Sequence, residues 1–526
     1  MRYILLFILT LALTVTSCRK DFDTVASTGK LEFSKTTVYL DTVFTNISSS
    51  TYMLKVYNKS NNDIKISSVA LAKGNASKYR LMVDGMSGLD GPDANTVGDG
   101  KIFPNVEILA NDSLFVFIEA TASIADANPT DLLYTDEILF DGFTSFQQKV
   151  NLVTLIQDAV FLYPERYNNP TGGYSYEGIQ VGSNPADQIY GFFLDASELT
   201  FTNTKPYVIY GYAAVGNGAV LNIEAGARVH FHDQSGIIVG NNGSIRVNGT
   251  PSPTLTPLIN EVIFEGDRLE PSFAETPGQW GTILLTSGST NNAFSNLTLK
   301  NASVGLFIQN QDATTVQIKN TQIYNCSNVG LLARTAKINA ENVVINNAGQ
   351  NALACTYGGT YNFNHCTFTN FWSGGSRQSP AVALTNFFQV NETQFLTENL
   401  VANFDSSIIY GSNNLELILS KRDDVATPIF NVNLNYCLVK FNDINNQFGG
   451  NSLFTNAFLN NTNNNLIGNS NNFYDPKFIN IGANKLNIQT GSSVIAKGKN
   501  FTTPLADILN ISRSNPTDIG AYKYNP

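Results

Sequence analysis

Asn301, Asn325, Asn347 and Asn370 recur at intervals of 24, 22 and 23 residues, and each closes a segment of one form. Leu297-Thr298-Leu299-Lys300-Asn301, Thr321-Gln322-Ile323-Tyr324-Asn325, Val343-Val344-Ile345-Asn346-Asn347 and Cys366-Thr367-Phe368-Thr369-Asn370 all read apolar or small, any, apolar, any, asparagine. A second apolar element follows most of them within a few residues, as in Val304 to Ile308, Val329 to Leu332 and Ala352 to Ala354. A repeat of about two dozen residues is one supersecondary unit that cannot bury its apolar face alone, so successive units must stack. Strand, turn, strand, turn, strand fills that length and makes one coil of a parallel β-helix. Stacked coils bring equivalent positions to roughly 4.8 Å, close enough for asparagine amides to bond along the axis and for Leu299, Ile323, Ile345 and Phe368 to pile up inside one sheet.

The stretch before residue 159 follows a different rule. Tyr52-Met53-Leu54-Lys55-Val56-Tyr57 and Ser113-Leu114-Phe115-Val116-Phe117-Ile118 alternate apolar and outward positions, and polar turns such as Asn58 to Asp63 separate them from neighbouring short strands. That is the pattern of a β-sandwich. It resembles the immunoglobulin-like modules of bacterial surface proteins, which implies a spacer role for residues 30–158. Residues 159–198 are expected to form a linker and solenoid cap, and 199–526 the solenoid itself.

The solenoid opens with Leu221-Asn222-Ile223-Glu224-Ala225-Gly226-Ala227-Arg228-Val229-His230-Phe231 and Gly243-Ser244-Ile245-Arg246-Val247-Asn248-Gly249, and continues with Gln279-Trp280-Gly281-Thr282-Ile283. It closes with Asp475-Pro476-Lys477-Phe478, Leu486-Asn487-Ile488, Gly491 to Ile495, Asp507, Arg513 and Asp518-Ile519-Gly520-Ala521-Tyr522. These openings and endings resemble those of right-handed parallel β-helix repeat proteins of bacteria. The resemblance implies an all-β chain: an immunoglobulin-like sandwich followed by a right-handed, pectate-lyase-like parallel β-helix. It implies no activity, because unrelated functions share that fold.

Residues 1–17 pair a positive Arg2 with an apolar run, Ile4 to Val15, that is too short for the roughly 20 residues of a membrane-spanning helix. Val15-Thr16-Ser17-Cys18 resembles a bacterial lipoprotein processing site. The resemblance implies a cleaved signal peptide, acyl (palmitate-type) lipidation of Cys18 and an anchor linker over 18–29. Arg19-Lys20-Asp21-Phe22-Asp23 is similar to the surface-export signal of the phylum Bacteroidota, which implies an outer-membrane protein displayed at the cell surface. A net charge of −10, with only 14% charged residues, disfavours nucleic acid and anionic headgroups as partners.

Chemistry is sparse. Cys326, Cys355, Cys366 and Cys437 match no metal or disulfide framework and read as small buried hydrophobes. His230 and His232 alternate with Val229 and Phe231, so both imidazoles are expected on a solvated strand face beside Asp233. His365 is expected as a surface neighbour of the core. The densest acid–base group is Lys421-Arg422-Asp423-Asp424, after the strand Leu415 to Leu419. A polysaccharide lyase needs a base beside acids that hold calcium, so Lys421 or Arg422 with Asp423 and Asp424 as Ca2+ ligands is the catalytic alternative. The bland reading is a charged loop between coils, and a polygalacturonase-type hydrolase lacks its Gly-His-Gly here. The more economical reading is a non-catalytic surface, free of cofactors, that binds carbohydrate or matrix or serves as a structural adhesin. Outward Asn, Thr, Ser and Gln suit sugar hydroxyls, and Phe371 to Arg377 interrupts the strand pattern, so Trp372 and Arg377 are expected on a protruding ligand-binding loop.

Overall fold

A computed structural model describes residues 23–89, 98–141, 145–170, 172–181, 184, 187–254, 256–309, 314–422, 429–460, 463–500 and 503–526. Cys18 with its signal run, and Asp423 with Asp424, lie outside the described residues. The chain divides into two compact units, Met1–Asp158 and Ala159–Pro526.

The first unit is a two-sheet sandwich. One sheet holds Val25–Ala26, Ile64–Leu71, Leu133–Phe140, Gln148–Gln157 and Thr37–Phe44, with Ile102–Ile108 beside Ile64–Leu71. The other holds Glu32–Phe33, Tyr52–Tyr57, Ser113–Ala120 and Tyr79–Val83. Alternation does the sorting: Leu54, Val56, Val116 and Ile118 of the second sheet share one core with Val38 and Leu40 of the first, while Met53 and Tyr39 stay exposed.

The second unit is a parallel β-helix with three faces. Two strands of the stretch expected as linker and cap already join it, since Val160–Leu162 pairs in parallel with Tyr207–Ile209, and Gln188–Phe193 with Tyr212–Val215, while Arg166–Asn168 and Tyr174–Tyr176 form an antiparallel hairpin. The first face stacks eleven strands, from Val160–Leu162 to Leu466–Gly468. The second and third faces share one seventeen-stranded sheet. In two coils a single long strand, Val329–Glu341 or Leu353–Asn364, runs from one of these faces to the other, bending at Thr335 and Tyr357 where φ turns positive.

The apolar column of the first face is in register as the repeat requires. Leu299 lies on Ile323, Ile323 on Ile345, and Ile345 on Phe368, all four without solvent exposure. Their bulk needs room at the facing strands Val304–Gln309 and Val329–Glu341, and glycine supplies it. A Cβ on Gly305 would sit 2.7 Å from Ile323 Cγ2, and one on Gly330 would sit 2.4 Å from Ile345 Cγ2. At the far end, Phe441, Phe448, Phe454 and Phe458 pack ring against ring, 4.5 to 6.1 Å apart, and close the last coil.

The asparagine column has two causes. Asn301, Asn325 and Asn347 take φ of 68°, 57° and 54°, the left-handed region in which asparagine is tolerated better than other side chains. Their amides also bond along the axis: Asn347 Nδ2 donates to Asn325 Oδ1 at 2.7 Å, and Asn325 Nδ2 to Asn301 Oδ1 at 3.5 Å. Asn370 leaves the ladder and bonds the Ala348 and Gln350 carbonyls instead. A second left-handed column stands at the opposite end of the same strands, at Asn296, Asn320, Asn342, His365, Ser406, Tyr436 and Asn464.

The closing segment does more than end the chain. Leu486, Ile508, Ala521 and Tyr522 cover Val344, while Ile488, Val494 and Ile519 cover Ile408 and Leu438, all on the outer side of the first face. Asp507 Oδ1 accepts the Leu509 and Ile511 amides and Oδ2 that of Lys523; Asp518 accepts Ala496 N and Tyr524 N, both at 2.7 Å. Arg513 Nη2 donates to Asn342 Oδ1 at 2.7 Å and to the Gly520 and Ala521 carbonyls. The acidic and basic residues of the ending therefore clasp a strap onto the sheet.

Candidate functional site

A row of outward asparagines on the third face forms a regular polar surface. Asn339, Asn362, Asn403 and Asn433 occupy one register position on four successive coils, while Ala340, Phe363, Phe404 and Leu434 beside them point into the core. Asn362 Nδ2 donates to Asn339 Oδ1 at 2.9 Å, Asn403 Nδ2 to Asn362 Oδ1 at 3.0 Å, and Asn433 Nδ2 to Asn403 Oδ1 at 3.2 Å. An amide has two N–H donors and two acceptor lone pairs, so the middle rungs Asn362 and Asn403 each keep one N–H and one lone pair for a ligand, while Asn433 spends its second N–H on Asn431 Oδ1 at 3.1 Å and keeps only its oxygen. The ladder fixes the planes of these amides in advance, which lowers the ordering cost of binding. At its last rung the row enters a polar groove of about 540 Å³, lined by Lys421, Asn431, Asn433, Asn451, Ser452 and Asn456.

The residues expected to act fall in three places. Arg377 does not reach a ligand, because it is buried. Its guanidinium makes a bidentate pair with Glu416, Nη2–Oε1 2.7 Å and Nη1–Oε2 3.0 Å, and Nη2 also donates to Asn370 O and Ser412 Oγ. Nearly every donor is thus spent on pinning the 371–380 loop to the coil below. Trp372 is half-buried and folds back over that loop, where a Cβ on Gly374 would fall 2.4 Å from its Cζ2. The structure does not bring Trp372 and Arg377 together on a protruding tip. Trp280, by contrast, is core: it stacks on Phe231 at 4.2 Å and donates to Lys300 O.

Lys421 is exposed and lines the groove, whereas the Arg422 guanidinium lies 3.5 Å over the Phe395 ring and its backbone pairs with Asn386. Among the described residues no group of three or more His, Cys, Asp or Glu side chains could hold a metal ion. The described cysteines, Cys326, Cys355, Cys366 and Cys437, are buried and unbridged, and burial pushes the Cys366 thiol up to about 12.

Two histidines depart from expectation. His230 faces outward but is covered, with Nδ1 3.1 Å from Gly266 O. His365 is fully buried because it takes a left-handed position that Asn296, Asn320 and Asn342 hold elsewhere, beneath the closing strap. Burial first, and the Arg513 charge second, push its pKa down to about 3. A depressed histidine binds its proton more weakly folded than unfolded, so stability is whole above pH 6.5 and falls as pH drops toward 3, by up to about 1.4 kcal/mol per unit. His365→Asn keeps a residue suited to the bend and should flatten this dependence. Urea midpoints measured from pH 7 to pH 4.5 check it; equal acid sensitivity in both proteins would contradict it.

His232 remains half-exposed. Its Nδ1 lies 2.7 Å from Asp267 Oδ2, and this bond raises its pKa.

The architecture thus defines an all-β protein whose larger unit is a parallel β-helix with a laddered polar face. No family model and no curated protein matches the chain. Among solved structures it is similar to a family 123 glycoside hydrolase from Clostridium perfringens, at 8% identity over 27% of this chain and 38% of that one, with a TM-score of 0.15. It is also similar to the catalytic unit of a thermostable GH87 alpha-1,3-glucanase from Streptomyces thermodiastaticus strain HF3-3, at 10% identity over 73% of each chain and TM-score 0.24. A third similarity is to the Agl-KA catalytic domain, at 12% identity over 73% of this chain and 77% of that one, with TM-score 0.21. Likeness this slight transfers no site.

Proposed function

We propose that the chain is a surface lipoprotein, tethered through Cys18 to the outer membrane, whose β-helix binds carbohydrate without catalysis. The observation that carries this reading is the hydrogen-bonded row Asn339, Asn362, Asn403 and Asn433 running into a polar groove. Pre-oriented amides spaced one coil apart, with a donor and an acceptor left on Asn362 and on Asn403, offer the pattern that a chain of sugar hydroxyls satisfies. The Arg422–Phe395 contact supports the non-catalytic side, since it commits the guanidinium to packing over a ring.

A glycan array probed with the full chain should return hydroxyl-rich ligands. Hydrogen exchange with the best of them should show protection centred on Leu400–Asp405 and Phe430–Asn435. Protection confined to other faces would remove the row from the site. For the tether, Cys18→Ala should abolish palmitate labelling and release the protein from the membrane fraction; labelling that persists would reject it.

A further inference from the structure

A second ordered surface lies where the first face turns toward the second, in the opening coils. Tyr163, Tyr210, His232 and Asp267 each follow a first-face strand directly: Val160–Leu162, Tyr207–Ile209, Arg228–Phe231 and Val262–Gly266. The bonds Tyr210 N to Leu162 O, His232 N to Ile209 O and Asp267 N to Phe231 O, 2.9 to 3.0 Å, set each residue one coil beyond the last. The Tyr210 and His232 rings stack at 4.3 Å and 28°. Asp267 takes His232 Nδ1, so Nε2 is the ring nitrogen left toward solvent.

Tyrosines extend the column sideways. Tyr190 packs over Gly211, whose φ of +69° and lack of a side chain let the ring come close; a Cβ there would fall 2.8 Å from Tyr190 Cδ1. Tyr176 meets Tyr190 edge to face at 5.4 Å. Tyr163, Tyr176 and Tyr190 are 64%, 52% and 46% exposed, so much of their area does not serve the core. Aromatic rings held side by side in water, with a histidine–aspartate pair at one end, offer flat faces for sugar C–H groups and edges for hydroxyls.

We propose that this corner is a second carbohydrate site, which takes a straight, flat, neutral glycan chain of the β-1,4-linked kind. Its rungs rise straight along the axis by roughly 4.8 Å per coil. A pyranose with its linkage advances by a similar step in an extended chain, whereas an α-1,4-linked chain coils away from a straight ladder. The inference shares only its ligand class with the asparagine-row reading.

The test is titration of the full chain with cellohexaose, with maltohexaose as the coiled comparison, followed by calorimetry and tyrosine fluorescence. Tyr163→Ala/Tyr190→Ala, both exposed positions, should weaken cellohexaose at least tenfold. Tyr39→Ala, 67% exposed in the first unit, should leave it within twofold, and maltohexaose should bind at least tenfold more weakly than cellohexaose. No cellohexaose binding by the unaltered chain, or equal affinity in the tyrosine double variant, would overturn the corner site and leave the asparagine row to its own test. Loss of cellohexaose binding in Asn362→Ala/Asn403→Ala with the tyrosine double variant unaffected would overturn the corner and assign the ligand to the row.

Discussion

Ile345→Asp is expected to destabilise the β-helix by about 4 kcal/mol or more, enough to shift its urea midpoint far below that of the unaltered protein. Ile345 has no solvent exposure, sits between Ile323 and Phe368 in the column, and presses its Cγ2 toward Gly330. The aspartate would have no cation to pair with there, so it would either carry an unpaired charge in an apolar stack or fold protonated with its carboxyl unsatisfied. Both routes cost several kcal/mol. Ile345→Val removes one methylene and should cost only about 1 kcal/mol, which separates burial of charge from loss of volume. A variant that unfolds at the same urea concentration as the parent would take Ile345 out of the core.

The second large effect is expected at the Arg377–Glu416 pair. Both side chains are almost completely buried, 2% and 0% exposed, and Glu416 also accepts the Ala381 and Asn413 amides at 2.7 and 2.6 Å. Glu416→Ala strands a guanidinium in the interior and leaves those amides unbonded, so a loss of about 3–5 kcal/mol is expected. Replacing both members, Arg377→Met with Glu416→Leu, removes the uncompensated charge and should restore part of that loss. Denaturant melts of the two singles and the double complete the cycle. If Glu416→Ala melts within 1 kcal/mol of the parent, roughly the value of an exposed pair, the pair is not the internal staple described above.

The repeat was legible because coils of 24, 22 and 23 residues keep register by sequence spacing alone, and the four-residue column from Leu299 to Phe368 follows from it. The spacing then breaks. The hairpin Phe387–Gln389 with Phe395–Thr397 lies between Phe368 and its partner Ile409, so Asn362 and Asn403 are 41 residues apart although adjacent in the row. A search for equal intervals cannot find the third-face asparagines past that insertion. The strap was hidden for another reason. Val344, Ile408 and Leu438 read as ordinary strand residues, and their partners Ile508, Val494 and Ile519 lie some 50 to 160 positions away. His365 was misplaced on the surface because its left-handed backbone, the property it shares with Asn342, leaves no mark in composition. Arg377 was misplaced because a loop rich in glycine and serine gives no sign that its one cation turns inward to Glu416.

The most direct measurement is the affinity of the full chain for its best array glycan, before and after Asn362→Ala/Asn403→Ala. Two middle rungs carry hydrogen bonds to the glycan worth about 1–3 kcal/mol together, so the dissociation constant should rise roughly 5- to 150-fold while the variant still unfolds cooperatively. An unaltered affinity in that double variant would contradict carbohydrate binding by the asparagine row.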